Sequence, residues 1–299
     1  MSPFTPALSV DVRPRLSPED FYRDYVNKKP VLMRGAVAGL PAVSRWSLEY
    51  LASLAPDLRV RLKTGSVADG HTTAVRLQDY CQTVAGWESK ATALKEAEEP
   101  PAYLHDLPLL TMIPALREDL QGFPTDFFPK FYGARWWEFT QFFVGPSRAL
   151  TPLHFDSLLT HNTFLQVSGT KRFVMVDSGD RDRCYVKNGR WSPVNPDEPD
   201  LDRYPRFRDA SVRTCQVEAG DLLYMPPGTL HKVTSMTFSV SFNIDWHDRH
   251  SALRGLTAAR HGMPAQNLRY NLLFALGVVG RVPLAVLMPA LKSYFSYIS

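Results

Sequence analysis

The chain has 299 residues, 44% of them hydrophobic and 21% charged, with a formal charge of +4. That composition is ordinary for a globular protein, the length allows one or two domains, and the scattered lysines and arginines exclude a block-charged nucleic-acid binder. Cys81, Cys184 and Cys215 are far apart, odd in number and without a CxxC pair, which excludes a disulfide framework or a cysteine zinc site and fits a reducing cytosol.

Residues 1–15 read as an extended lead-in that lacks the basic start and apolar run of a signal peptide, so a cytoplasmic protein is expected. Ser17-Pro18-Glu19-Asp20 supplies an N-cap, a proline at the first helical position and first-turn acids, which predicts a helix through Tyr25. Pro30 to Gly35 reads as a short buried strand, Trp46 to Leu51 as a helix capped by Ser47, and Leu58 to Leu62 as a half-buried strand of period two. A helix follows through Leu77–Cys81, then a charged, alanine-rich helix or loop over Ser89–Glu99. The run Tyr103–Leu109 and a proline-bearing stretch through Pro129 come next.

From Trp136 the pattern changes to short strands and turns. Phe139–Gly145 is one strand, Thr163–Val167 another, and Ser168-Gly169 turns the chain into a hairpin partner over Lys171–Val176. Ser178–Asp209 is polar and rich in Asp, Arg and Pro, and reads as a long surface loop. Ala219-Gly220-Asp221 is a turn before a strand over Leu222–Pro226. Pro227-Gly228 is a turn before a strand at His231, and Phe238–Ile244 alternates as the last strand. Many short antiparallel strands of this kind predict a jelly roll or barrel. The C-terminal stretch from Ala252 is helical in pattern. Its apolar run over Leu272–Leu291 is interrupted by Gly277, Gly280, Arg281, Pro283 and Pro289, so no membrane span is expected.

Thr151-Pro152-Leu153-His154-Phe155-Asp156 carries the chemistry. On an extended strand, residues i and i+2 share a face, so His154 and Asp156 project together. An imidazole and a carboxylate are two thirds of a two-histidine, one-carboxylate site, which holds one face of a ferrous ion and leaves the other open. His231, after the Pro227-Gly228 turn, is the candidate third ligand. Lys171 starts a strand whose Phe173 and Met175 share its face, and a charged head on an apolar face needs an anion. Thr151, Asn162 and Asn243 stand near these residues as candidate hydrogen-bonding groups.

The blocks TPLHFD, NTFLQVSGTKRF, EAGDLLYMPPGTLH and SVSFNIDW, in this order, resemble the JmjC or cupin-like family of iron(II)- and 2-oxoglutarate-dependent oxygenases, close in pattern to factor-inhibiting-HIF-like hydroxylases. KKPVLMRGAV, RWSLEYL and AYLHDLPLL upstream also resemble it. The resemblance implies a mainly β fold with flanking helices: a double-stranded β-helix (jelly-roll or cupin) core with N-terminal helices and a C-terminal helical segment. The implied regions are an α/β region over 1–135 packed on the core, a catalytic core over 136–250, and a dimerisation or lid segment over 251–299. It further implies iron ligation by His154, Asp156 and His231. Lys171 and Thr151 are assigned to the distal carboxylate of 2-oxoglutarate, with Asn162 and Asn243 near cosubstrate and metal.

Three departures stand out. The family's upstream strand often adds a tyrosine to that carboxylate, where this chain offers Gln141 and Phe143. The interval between Asp156 and Asn162 is longer than the family's, and His161 within it is read as a bland loop residue. Thr229-Leu230 stand where the family often has tryptophans. The implied activity is hydroxylation of a C–H bond with O2, giving succinate and CO2, in a protein or peptide side chain. Alternatives are a small-molecule or natural-product hydroxylase, an N-methyl demethylase, and a non-catalytic metal-binding cupin. No specific nucleic-acid partner is expected, and the C-terminal helices suggest a homodimer.

Overall fold

The computed structural model describes residues 8–65, 71–186, 189–257 and 265–298. Its strands are β1 (Leu8–Ser9), β2 (Asp11–Arg13), β3 (Val31–Met33), β4 (Arg59–Lys63), β5 (Thr72–Arg76), β6 (Tyr103–Leu107) and β7 (Thr140–Gly145) in the first half. The second half carries β8 (Leu150–His154), β9 (His161–Ser168), β10 (Thr170–Val176), β11 (Val212–Glu218), β12 (Leu222–Met225), β13 (Leu230–Ser235) and β14 (Ser239–Trp246). They form a five-stranded sheet, β1-β11-β10-β13-β8, and a nine-stranded sheet, β2-β3-β12-β9-β14-β7-β6-β4-β5. Of the last eight strands, β8, β10, β11 and β13 lie in one sheet and β7, β9, β12 and β14 in the other. That division is the double-stranded β-helix that the family resemblance implies.

The region before β7 joins the larger sheet by hydrogen bonding. β3 pairs with β12 and β6 pairs with β7, so its strands extend the sheet at both ends. The extended lead-in contributes β1 and β2, which pair in parallel with β11 and β3. Helix α1 (Pro18–Asp24) begins as predicted, with Ser17 Oγ accepting from the Asp20 N–H at 3.1 Å. Two elements that the sequence reading does not contain, the helix α2 (Pro41–Arg45) and β5, are short and lack strong periodicity. Helices α3 (Leu48–Leu54) and α4 (Leu77–Glu88) form where expected, and α5 (Thr92–Ala97) occupies the charged stretch; α6 (Leu109–Met112) and 3-10 turns cover the proline-bearing stretch.

Alternation along the inner strands divides the molecule chemically. On β14, Phe242, Ile244 and Trp246 join an apolar cluster with Phe21, Trp46 and Phe123 outside the larger sheet. Ser241 and Asn243 point to the space between the sheets, although all eight residues of the strand are buried. Part of that space is apolar, filled by Leu32, Phe164, Phe173, Met175 and Leu223. The remainder is polar, and buried polar groups persist only where something bonds them.

The segment Ser178–Asp209, read from its polarity as a surface loop, is instead anchored. Cys184, Val194 and Phe207 are buried against Leu153, Phe155 and Val174, covering the outer face of the smaller sheet. Sparse apolar residues among charges hide such a cluster from a composition-based reading. The β9–β10 hairpin turns at Gly169, whose φ is +76°, and a Cβ there would lie 1.9 Å from the Phe238 carbonyl oxygen. Only glycine fits that turn.

At the C-terminal end, α7 (Arg249–Gly255) starts with a capping box from Asp248 and Ser251. Helices α8 (Ala265–Val278) and α9 (Leu284–Ile298) follow, with Pro289 inside α9. Leu268, Leu272 and Leu276, four residues apart on α8, are exposed. Among the described residues no helix is long and apolar enough to cross a membrane.

Candidate metal centre and cosubstrate pocket

Two adjacent strands of the smaller sheet deliver the histidines. His154 on β8 pairs directly with His231 on β13. Their rings lie 4.3 Å apart between centroids. Each Nδ1 faces a backbone carbonyl, of Pro152 at 2.8 Å and of Thr229 at 3.2 Å. A proton on Nδ1 satisfies that carbonyl and leaves the Nε2 lone pair free for a cation. Burial, then the neighbouring His231, pulls His154 well below the ordinary histidine range, so its ring is neutral and can ligate.

Asp156 follows two residues after His154 and is half-buried. Asn162 Nδ2 donates to its Oδ2 at 3.0 Å and so fixes the carboxylate plane. Ligand atoms of His154, Asp156 and His231 all lie within 4.8 Å of one another. Two imidazoles and one carboxylate are the donor set of a facial triad.

Thr151 and His154 are three apart, a spacing that a regular strand would send to opposite faces. Both line the same cavity because β8 bulges: His231 pairs with His154 and Val233 with Thr151, so Pro152 and Leu153 on β8 lie opposite the single residue Lys232 on β13. Pro152 lies in the bulge, where its missing N–H costs no ladder bond.

The cavity runs from the triad to Lys171. Lys171 is only 1% exposed. Its ammonium donates to the Tyr103 hydroxyl at 2.7 Å and the Ser241 hydroxyl at 2.8 Å, beside the rings of Tyr103, Phe143 and Phe164. Burial pushes its pKa down to about 7. A buried cation with hydroxyl and aromatic partners is a seat for an anion. The amide Oδ1 atoms of Asn162 and Asn243 are buried and without hydrogen-bond partners, and both residues line the cavity. Asn243 Nδ2 donates to Asp245 at 2.9 Å. These groups fit a divalent cation together with a small dicarboxylate.

The structure thus brings His154, Asp156, His231, Thr151, Lys171, Asn162 and Asn243 to one cavity. The hydroxyl sought at Gln141 or Phe143 on β7 comes from Tyr103 on the next strand, β6. His161 is corrected: it is the first residue of β9, fully buried, with Nδ1 2.7 Å from the Tyr224 hydroxyl and its ring stacked on Trp246. It lies outside the triad. Missing from the sequence reading are Tyr103, His105, Asp106 and Arg190, which also line the cavity, and Trp191, whose ring lies 4.7 Å from that of His154. The alternation in Tyr103-Leu104-His105 was a usable signal for the first two. Nothing in the loop marks Arg190 or Trp191.

Asp245 was also missed. Burial, then the charges of Asp156 and Asp106, raises its carboxyl well above the usual range.

The sequence profile of the cupin-like domain family matches residues 18–252. The chain belongs to this family. With its facial triad it carries the site of the JmjC and cupin-like proteins, a set consistent with the iron(II)/2-oxoglutarate oxygenase superfamily. The human tRNA wybutosine-synthesizing protein 5 is 29% identical to this chain over 241 residues, covering 74% of this chain and 72% of that protein. The Homo sapiens bifunctional peptidase and (3S)-lysyl hydroxylase JMJD7 is 26% identical over 269 residues, covering 78% and 81%. The Arabidopsis thaliana lysine-specific demethylase JMJ30 is 29% identical over 246 residues, covering 79% and 54%.

Proposed function

We propose that the protein is an iron(II)- and 2-oxoglutarate-dependent dioxygenase that hydroxylates a C–H bond in a protein or peptide side chain, releasing succinate and CO2. The observation that carries this reading is the pairing of a facial triad with a buried, anion-seeking Lys171 in one cavity. A non-catalytic metal-binding cupin has no need to bury an ammonium at that cost.

His154, Asp156 and His231 would hold iron(II), and 2-oxoglutarate would lie between the metal and Lys171. Bound together, iron and cosubstrate supply oxygen activation coupled to oxidative decarboxylation. The chain's own residues do the rest. Asn162 keeps the Asp156 carboxylate in one orientation. Lys171, Tyr103 and Ser241 bind the distal carboxylate, while Phe143, Phe164 and Phe173 exclude water around it. Arg190, half-buried on the anchored loop, stands at the cavity with Trp191 behind it and bears on which substrate group enters. The side-chain reading has support in the similarity to a (3S)-lysyl hydroxylase along most of both chains. A second reading, oxidation of a tRNA nucleoside, is favoured by the name of the human, chicken and mouse relatives.

Purified protein with iron(II) and O2 is expected to turn 2-oxoglutarate into succinate. Mass spectrometry of peptide, tRNA and metabolite pools should then find a cosubstrate-dependent gain of one oxygen in peptides. Calorimetry showing no 2-oxoglutarate binding to iron-loaded protein would sink the oxygenase reading, and a gain confined to tRNA would replace the peptide by a nucleoside. The same reading takes the exposed leucines of α8 as a homodimer surface in a cytoplasmic protein. Sedimentation showing a monomer at micromolar concentration would remove the dimer.

A further inference from the structure

His105 and Asp106 are consecutive, yet both line the cavity. Neighbours on a strand ordinarily face opposite ways. Here the register of β6 against β7 shifts between His105 and Leu107, and Asp106 adopts φ +63°. That bulge turns the carboxylate back toward the histidine. A left-handed non-glycine residue is uncommon, and such conformations are concentrated where a side chain must be aimed.

The pair is buried, His105 at 5% and Asp106 at 8% exposure. Asp106 Oδ2 lies 2.7 Å from His105 Nδ1. The angle is too bent for a hydrogen bond, but a carboxylate at that distance favours a proton on Nδ1, because two lone pairs would repel. Burial pulls His105 below the ordinary histidine range against the opposing pull of Asp106, so the ring is neutral near pH 7 and Nε2 carries the lone pair. Thr151 Oγ1 is 3.3 Å from Nε2. With the protons so placed, the threonine hydroxyl donates to His105 and turns its own lone pairs toward the cavity. Lone pairs repel a carboxylate.

We propose that His105, held by Asp106, is a positioning residue for the cosubstrate. When the distal carboxylate of 2-oxoglutarate arrives beside Lys171, His105 takes one proton from solvent at Nε2. It then donates to Thr151 Oγ1, and the threonine hydroxyl is freed to donate to the carboxylate. One N–H bond forms, and the hydrogen bond between His105 and Thr151 reverses direction. The inference rests on 2-oxoglutarate being the cosubstrate. The groups bearing on His105 are Tyr103 and Asp106 on its own strand, Thr151 and His154 on β8, Lys63 on β4, and Arg190 on the loop. Lys63 and Arg190 oppose the proton, whereas Asp106 and the incoming carboxylate favour it.

Titrating 2-oxoglutarate into the full manganese(II)-loaded chain, in buffers of different ionisation enthalpy, counts the protons taken up. The wild type should take up more than His105→Gln, by up to about one proton per site. Glutamine still reaches Thr151 but does not titrate. Any uptake by Lys171 is common to both proteins and cancels in the difference. Asp106→Asn removes the charge that stabilises the imidazolium and should also lower the count. The wild-type affinity should rise more steeply as pH falls than that of either variant. Equal proton counts and equal pH slopes in wild type and His105→Gln would overturn the proposal. If the variants do not fold, imidazole nitrogen spectra of the zinc-loaded wild type decide it: Nε2 of His105 should become protonated on saturation with 2-oxoglutarate, and an Nε2 that stays unprotonated overturns it. A wild type that does not bind 2-oxoglutarate is a different result and defeats the cosubstrate reading itself.

Discussion

Asp156→Ala is expected to lose iron-dependent turnover by more than about 100-fold, the upper range for removing a mere outer partner of a ligand, while the fold stays intact. Asp156 is the single carboxylate of the triad, and the two histidines alone leave the metal with no anionic donor. The side chain is half-buried and its bond to Asn162 is a contact at the rim of the cavity, so its loss costs little packing. Removing its charge also lets the Asp245 carboxyl move back toward its ordinary range, because burial first and Asp156 second hold it up. Asn162→Ala is the graded comparison: the carboxylate stays but loses its orienting donor, and metal affinity should fall by about 10- to 100-fold. Iron binding by equilibrium dialysis and succinate release measure both. Ordinary iron binding and turnover in Asp156→Ala would remove it from the ligand set.

The ligand strand was legible because its signal is local. His154 and Asp156 are two apart, and period two alone puts them on one face. His231 was legible through the glycine-bearing turn before it. The hairpin at Ser168-Gly169 and the cap at Ser17 are likewise local, each set by a few adjacent residues.

What stayed hidden depends on pairing between distant strands or on departures from period. Tyr103 reaches Lys171 because β6 pairs with β7, a neighbour relation between segments that sequence spacing does not encode. Asp106 faces the cavity, and Thr151 joins the face of His154, through bulges that break the alternation used to assign faces. The loop holding Arg190 and Trp191 is polar on average, and its position follows from Cys184, Val194 and Phe207, which are spread thinly along it. His161 misled for a related reason. The long interval after Asp156 reads as a loop, but β9 begins at His161 and its ring stacks on Trp246.

Lys171→Met is expected to make the cosubstrate-free protein more stable and to remove its affinity for 2-oxoglutarate. Burial pulls the Lys171 ammonium down to about 7 from the ordinary lysine value of 10.5, so between these limits the folded state binds fewer protons than the unfolded one. Stability therefore rises with pH from about 7 to about 10.5, by at most about 1.4 kcal/mol per pH unit, and below 7 the burden of the buried charge is complete. Methionine fills a similar volume with no charge, and replacing buried charge by apolar groups often stabilises by about 1 to 4 kcal/mol. Against this, Tyr103 and Ser241 lose a hydrogen-bond partner, at about 1 kcal/mol each. Taken at the upper end of that range, the net gain is at most about 2 kcal/mol near pH 6, and it should shrink as pH approaches 10. Urea denaturation at several pH values reads this directly. Lys171→Ala separates charge from volume, because it removes the ammonium but leaves a cavity, and should be the less stable of the two variants. Both should bind 2-oxoglutarate at least about 30-fold more weakly, since a buried anion would lose its cation. A methionine variant less stable than wild type at pH 6, or one that binds 2-oxoglutarate normally, would show that Lys171 serves the fold and not the anion.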